Sequence, residues 1–271
     1  MTTKIWTSDR DVIIVQGPEA EGYLHSQVSQ NVDDMSEGES RLSFLLEPKG
    51  NIEGYFRITK LQHDRFLLDT EPGFGSPLLV SLERFKLRTQ ADFELHEWKM
   101  ISVLGEWMPT DLRPQVQVVA SPWLSEAVFD VLGETLEIDL PTCDPQEYER
   151  LRFECGVPTI GRELQVGGIP NESGLVERAV SFDKGCYRGQ ELVERISARG
   201  GGRHKIHRIC SDEELLPGHP LFLSSEPVGE VLSATTAAPY VGFASLSGEH
   251  SVVSTDAGSE VSVVSLEIPL Q

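Results

Sequence analysis

No run in this sequence approaches the roughly 18 consecutive apolar residues that a membrane-spanning helix needs. The opening stretch, MTTKIWTSDRDVIIV, lacks the basic segment followed by an apolar segment of a secretory leader. Both absences predict a cytoplasmic protein with no membrane partner. The four cysteines, at 143, 155, 186 and 210, include no CxxC pair. That excludes a disulfide framework and a cysteine-rich metal cluster. Basic residues are scarce: 23 Lys and Arg stand against 43 Asp and Glu, a formal net charge of −20 over 271 residues. A surface so acidic repels phosphate backbones and anionic lipids, which disfavours direct tRNA binding.

What is present is an ordinary globular composition, 39% hydrophobic and 24% charged. The length suits two domains. Residues 12–15 (VIIV) read as a short buried strand broken at Gly17-Pro18. Ala20, Leu24, Val28 and Val32 then recur at the spacing of one helix face. Strand-like segments follow at 41–46, 51–60 and 65–69, separated by the turns Pro48-Lys49-Gly50 and Gln62-His63-Asp64. Ser76-Pro77 reads as an N-cap with proline at N1, opening a helix over LLVSLERFKL. Strands are predicted near 92–95 and 99–104, and Asp144-Pro145 opens another helix through QEYERLRFECG. This order is an α+β pattern. From about residue 206 the character changes to short β-rich segments: HKIHRIC, PLFLS, VGEVLSATT, YVGFASL, HSVVST and VSVVSLEI. They predict a small β-barrel. The predicted division is 1–203 for an α+β region of two lobes and 204–271 for the barrel domain.

The chemistry concentrates in residues 181–208, SFDKGCYRGQELVERISARGGGRHKIHR. From Lys184 to Arg208 there are seven Lys and Arg against two acids, a net +5 in a chain of −20. Such an island attracts an anion. Cys186 lies between Lys184 and Arg188, just before a predicted helix over GQELVERI. Neighbouring cations and a helix N-terminus favour the thiolate, so Cys186 is the expected working thiol. Cys143, Cys155 and Cys210 are expected to be inert and buried. Asp183 either pairs with Lys184 or caps a turn. Gln190 and Glu191 either bond the loop backbone or reach a ligand. His204 and His207 lack a third ligand nearby in sequence, so no metal site is expected.

KGCYRGQE closely resembles the signature loop of the YgfZ-type folate-binding proteins, relatives of the aminomethyltransferase (T protein) of the glycine cleavage system. IIVQGPEAEGYLHSQVSQNV, LLEPKGNIEGYFRI, YERLRFECGVPTIGREL, SGLVERAVSFDKGCYRGQELVERI, PVGEVLSAT and APYVGFASL carry the resemblance along nearly the whole chain. It implies an α+β fold: a three-lobed ring of α+β, ferredoxin-like lobes with a small C-terminal β-barrel, T-protein-like. The implied cofactor is tetrahydrofolate or another folate. The implied role is upkeep of iron–sulfur enzymes, including ones that modify tRNA, so the expected partners are those enzymes or their assembly factors. Cys186 then matches the functional thiol, with Lys184 beside it. Gln27, Asn31, Tyr187, Arg188, Gln190, Glu191 and Arg203 are the implied folate contacts. Glu154 matches a pterin-binding carboxylate, with a helix-face ion pair to Arg150 as its other reading. The T protein ends its hairpin motif in two adjacent aspartates, where this chain has Glu53-Gly54. That favours a folate-dependent maintenance protein over the alternative, a folate-dependent aminomethyltransferase.

Overall fold

The computed structural model describes residues 3–106, 117–120 and 128–266. The chain packs as two compact units that interleave along the sequence. The first comprises residues 1–143 and 178–190, the second 144–177 and 191–271.

In the first unit a seven-stranded antiparallel sheet is built from β1 (Lys4–Gln16), β2 (Ser40–Leu46), β3 (Ile52–Gln62), β4 (Arg65–Thr70), β5 (Asp92–Leu104), β6 (Gln117–Ala120) and β7 (Val128–Gly133). The order across the sheet is β2-β3-β4-β1-β5-β7-β6. One sheet face carries Ile13, Val15, Phe56, Ile58, Phe66 and Leu68 in a single apolar cluster. The cluster closes with Tyr23 and Leu24 from helix α1 (Ala20–Gln27), and with Leu78 and Leu82 from helix α2 (Gly75–Lys86).

The opposite face buries charge. The Arg57 guanidinium reaches Asp69 through Nε (2.7 Å) and Nη2 (3.1 Å), and Asp130 through Nη1 (2.6 Å). Asp69 also accepts from Arg10, and Asp130 from the Ser102 hydroxyl. Burial acts to raise the Asp69 pKa, but the two guanidiniums outweigh it and hold the carboxyl below its ordinary range.

Four predictions differ from what is observed. The short strand at 12–15 is the end of a 13-residue β1. The two strands near 92–95 and 99–104 are one continuous β5. Lys4 to Gln16 pairs residue by residue with Leu104 to Asp92, so backbone hydrogen bonding carries both strands through stretches without an apolar run. Helix α2 starts at Gly75, with Phe74 at the N-cap position in place of Ser76. Its first amide is served from β1: Asp11 Oδ2 accepts from Gly75 N (2.8 Å), and also from Gly73 N just before the helix (2.9 Å). Helix α1 stops at Gln27. Val28 is extended, and both Val28 and Val32 are buried without belonging to the helix.

The second unit contains α3 (Pro145–Glu154), a 3-10 turn at Pro170–Glu172, α4 (Val176–Ala179), which leads back into the first unit, α5 (Gln190–Ser197), and six strands. Asp144 caps α3 as predicted, with Oδ1 accepting from Gln146 N at 2.8 Å and proline at N1. The strands β8 (His204–Ser211), β9 (Pro220–Leu223), β10 (Glu226–Ala234), β11 (Tyr240–Ser247), β12 (Val252–Thr255) and β13 (Glu260–Ser265) close a barrel in the order β10-β11-β8-β13-β12-β9. Residues 267–268 of the last predicted segment lie outside the described residues. Ile209, Leu221, Val231, Leu246 and Val261 share the barrel's apolar cluster. Among the described residues no helix is long and apolar enough to cross a membrane.

His207 on β8 is buried, and its Nε2 has no hydrogen-bond partner among the described residues. Burial lowers its pKa, assisted by Lys205 and His250 and opposed by Glu249. The folded-state value therefore lies below the ordinary 6.5 or so of an unfolded chain, and protonation favours unfolding. Stability is full above the unfolded value of about 6.5 and is lost as pH falls from there through the folded-state value. Urea midpoints at pH 7.5 and 5.5 check this: His207→Leu should lose less stability than the wild type between those pH values.

Candidate functional site

The loop KGCYRGQE, residues 184–191, enters the first unit as a segment fastened at both ends. The Lys184 ammonium donates to three backbone carbonyls: His25 O (2.5 Å), Val28 O (2.8 Å) and Gln30 O (2.8 Å). His25 lies in the last turn of α1, where carbonyls have no helical partner, so Lys184 caps that helix from 159 residues away. Burial lowers the Lys184 pKa to about 8. Asp33 opposes this, and only the ammonium has three hydrogens to satisfy all three carbonyls. The side chain placed by sequence beside the thiol as a reacting group is thus fully engaged with backbone. Asp183 is exposed and does not pair with Lys184.

Arg188 fastens the other end. Its Nε donates to Leu46 O (2.6 Å), and its Nη2 to Glu53 Oε2 (2.7 Å) and Ser81 Oγ (2.9 Å). The guanidinium carbon lies 4.5 Å from the centre of the Phe85 ring. Between the anchors and α5, Tyr187 N donates to Gln190 Oε1 at 2.9 Å, so Gln190 closes the loop on itself. Gly189 has φ +80°, and a Cβ there would stand 2.5 Å from Glu47 O. No other residue fits that turn without moving the hairpin. Cys186 is exposed between the anchors.

Glu53 and Gly54 on β3 face opposite ways. Glu53 pairs with Arg188. At Gly54 a Cβ would meet Leu78 Cδ1 at 3.0 Å and Leu45 Cβ at 3.7 Å. An aspartate at 54 would therefore bury its carboxylate in the apolar cluster, and the carboxylate at 53 is committed to the loop.

Several polar atoms of this unit are buried with no hydrogen-bond partner among the described residues: Gln27 Oε1, Asn31 Oδ1 and Arg188 Nη1. Buried groups of this kind are rare and call for an explanation. Sequence reading missed His25. Its Nδ1 lies 3.1 Å from Asp33 Oδ1, and its Nε2 lies 3.6 Å from where a Cβ on Gly185 would stand. Nothing in the linear sequence ties residue 25 to residue 185.

The first unit thus brings together Gln27, Asn31, Lys184, Cys186, Tyr187, Arg188 and Gln190, whereas Glu154, Glu191 and Arg203 belong to the second. Glu154 is half-buried at the end of α3 and makes no ion pair among the described residues. Arg150 donates instead to Ala237 O and Ala238 O. Glu191 and Arg203 are exposed. The predicted basic island is much reduced. Arg208 is buried and donates to Glu154 O and Ser265 O, and Lys205 pairs with Glu249. Of the island's seven cations only Arg195, Arg199 and Arg203 are exposed without an ion pair among the described residues.

Cysteine placement needs one correction. Cys143 and Cys155 are buried as expected, but Cys210 is exposed, because its side chain points out of the barrel wall. Its pKa is raised by desolvation and by Asp212 and Glu154, which disfavours its thiolate. Among the described residues no group of three or more His, Cys, Asp or Glu side chains is arranged to hold a metal ion.

The architecture is that of the glycine cleavage T protein. The aminomethyltransferase T of Bartonella henselae superposes with a TM-score of 0.78 at 19% identity, covering 98% of this chain and 86% of that one. No protein-family model matches the chain. An uncharacterized protein of Haemophilus influenzae is 29% identical over 233 residues, 83% of this chain and 80% of that protein. The tRNA-modifying protein YgfZ of Shigella boydii is 23% identical over 241 residues, 79% of this chain and 74% of its own. A mitochondrial iron-sulfur cluster assembly factor IBA57 homolog of Pyricularia oryzae is 28% identical over 73% of this chain, which spans about half of that longer protein. The chain is thus similar in sequence to YgfZ and IBA57 proteins and has a T-protein fold.

Proposed function

We propose that this protein binds tetrahydrofolate and supports the assembly or repair of iron–sulfur enzymes, tRNA-modifying ones included, through the exposed thiol of Cys186. The observation that carries the folate reading is the set of buried, unpartnered polar atoms in the first unit. Gln27 Oε1 and Asn31 Oδ1 are acceptors, and Arg188 Nη1 is a donor. A pterin ring is flat, with amino and ring N–H donors beside a carbonyl, and suits such a set. Tyr187 and Gln190 are the loop's further proposed contacts. Glu154, in the second unit, is a proposed folate contact on the resemblance alone and is no part of this first-unit set. Glu191 is a further proposed contact there, and exposed Arg203 suits the anionic glutamate tail. The iron–sulfur and tRNA-modification roles come from the names of the relatives. The commitment of Glu53 to Arg188 and the apolar surroundings of Gly54 favour this role over aminomethyl transfer.

Gln27→Leu removes a buried acceptor that only a ligand would satisfy. Losing one such hydrogen bond should weaken tetrahydrofolate binding about tenfold while leaving the thermal midpoint of the free protein unchanged or raised. Calorimetric titration with tetrahydrofolate reads the first effect, and equal affinity in the two proteins would remove the folate reading. Cys186→Ser should abolish support of an iron–sulfur tRNA-modifying enzyme in cells, and unchanged enzyme activity would remove the thiol role. Turnover with an aminomethyl-loaded carrier protein that dies in Glu53→Gln would establish the transferase instead.

A further inference from the structure

We propose that the C-terminal end of α2 is a docking surface for an acidic, amphipathic protein segment, presented beside the signature loop. This deepens the reading of Cys186 as a thiol that serves iron–sulfur partners and rests on it. Residues 84–88 read RFKLR, three cations and two large apolar side chains in a chain of net charge −20. Leu78, Ser81 and Leu82 turn one side of the helix into the core. Val80, Arg84 and Leu87, spaced i, i+4 and i+7, line the other side. Val80 is 53% exposed and Leu87 92%.

Leu87 closes α2 with φ +50°, a left-handed conformation that a branched side chain adopts only at a cost and that glycine adopts freely. Its side chain gains no packing in return, since nearly all of it stands in water. Strain that the folded chain does not offset by burial points to a contact made with something else.

The cations are likewise open. Arg84 and Arg88 are exposed and make no ion pair among the described residues. Lys86 lies over the Phe93 ring at 5.3 Å, with Asp92 at 3.7 Å. The surface continues into the signature loop. Phe85 is 36% exposed, and the Arg188 guanidinium carbon lies 4.5 Å from its ring centre. Ser81 Oγ, one turn earlier on α2, accepts from Arg188 Nη2 at 2.9 Å. A partner seated on RFKLR is therefore held against the same side chain that fastens the loop.

Charge and apolar content together name the occupant. The acidic remainder of the chain repels an extended polyanion, whether a nucleic-acid backbone or an anionic bilayer, so a compact negative segment is what this patch draws in. A nucleic acid makes no use of exposed Val80 and Leu87, whereas a protein helix with carboxylates flanking an apolar stripe matches both features. The cations steer its approach, and the apolar side chains hold it.

The probes for the full-length protein are an amphipathic peptide of leucine and glutamate, its leucine and lysine counterpart, tRNA, and phosphatidylglycerol vesicles. The glutamate peptide should bind and the lysine peptide should not. Burying one leucine corresponds to about tenfold in affinity, so Leu87→Gly should weaken binding by about that factor. Because glycine suits φ +50°, the same variant should keep or raise its thermal midpoint, which a packing role for Leu87 would lower. Arg84→Glu combined with Arg88→Glu should abolish peptide binding and reduce support of an iron–sulfur tRNA-modifying enzyme in cells, with alkylation of Cys186 by iodoacetamide unchanged. Failure of the glutamate peptide to bind, or equal binding by the wild type and both variants, overturns the proposal. Tighter binding of vesicles or tRNA that the variants lose overturns it in favour of those partners, and full cellular support from the charge-reversed protein overturns it as well. Should all of these behave as expected while Cys186→Ser leaves enzyme activity intact in cells, the docking surface stands and the thiol reading falls.

Discussion

Arg57→Met is expected to destabilise the first unit by about 4 kcal/mol, because it leaves two buried carboxylates without their shared cation. Asp69 is 0% exposed and Asp130 1%, and Arg57 bridges them across β3, β4 and β7. After the change Asp69 retains Arg10, whereas Asp130 retains only the Ser102 hydroxyl among the described residues. An uncompensated buried carboxylate takes up a proton, so the variant should also recover part of its stability as pH falls toward 5. For a unit of this size the thermal midpoint should drop by roughly 10 °C at pH 7. Calorimetry at pH 7 and pH 5 checks both effects. A drop under about 3 °C at pH 7 would mean that the network is not the electrostatic keystone of the sheet.

Lys184→Met is expected to produce the second-largest effect, and at the site. The methionine keeps the aliphatic stem and removes the three donors, leaving His25 O, Val28 O and Gln30 O without the ammonium. Losing charge-assisted bonds to half-buried carbonyls should destabilise by about 2–3 kcal/mol. The larger consequence is positional. With one of its two side-chain anchors gone, the segment around Cys186 is held less firmly, and residues 183–186 should exchange their amide hydrogens at least about tenfold faster. Support of the iron–sulfur enzyme should then fall as far as in Cys186→Ser although the thiol is intact. Lys184→Arg should not rescue it, since a planar fork cannot serve three carbonyls that converge on one point. Amide exchange together with the cellular readout separates this positioning role from a proton-transfer role, which would leave exchange unchanged.

Much of the architecture follows from local pattern. The alternation and turn residues of 41–69 place the meander β2-β3-β4, and Asp144-Pro145 starts α3 at the residue expected. Six short β segments after residue 203 become six barrel strands. The elements misread are those whose ends are set by partners. β5 runs unbroken through His96-Glu97-Trp98 because β1 pairs with every residue of it, and half of that pairing lies where no apolar run marks a strand. The first amide of α2 is served by Asp11, more than 60 residues away, so a search for a local cap lands on Ser76.

The same division runs through the site. By itself the sequence determined the thiol, its glycine frame and its flanking cations, because KGCYRGQE is contiguous and its chemistry is local. Only the tertiary structure decided what those cations do. Lys184 and Arg188 look like an anion-attracting pair in the linear chain, but folding turns one toward three carbonyls and the other toward Glu53, Ser81 and Phe85. Burial away from water makes a charged side chain seek fixed partners, and which partners are near is a property of the fold. That is also why His25 emerged only in three dimensions. A histidine in a helix carries no signal of its own until a loop from 160 residues later brings Gly185 beside its Nε2.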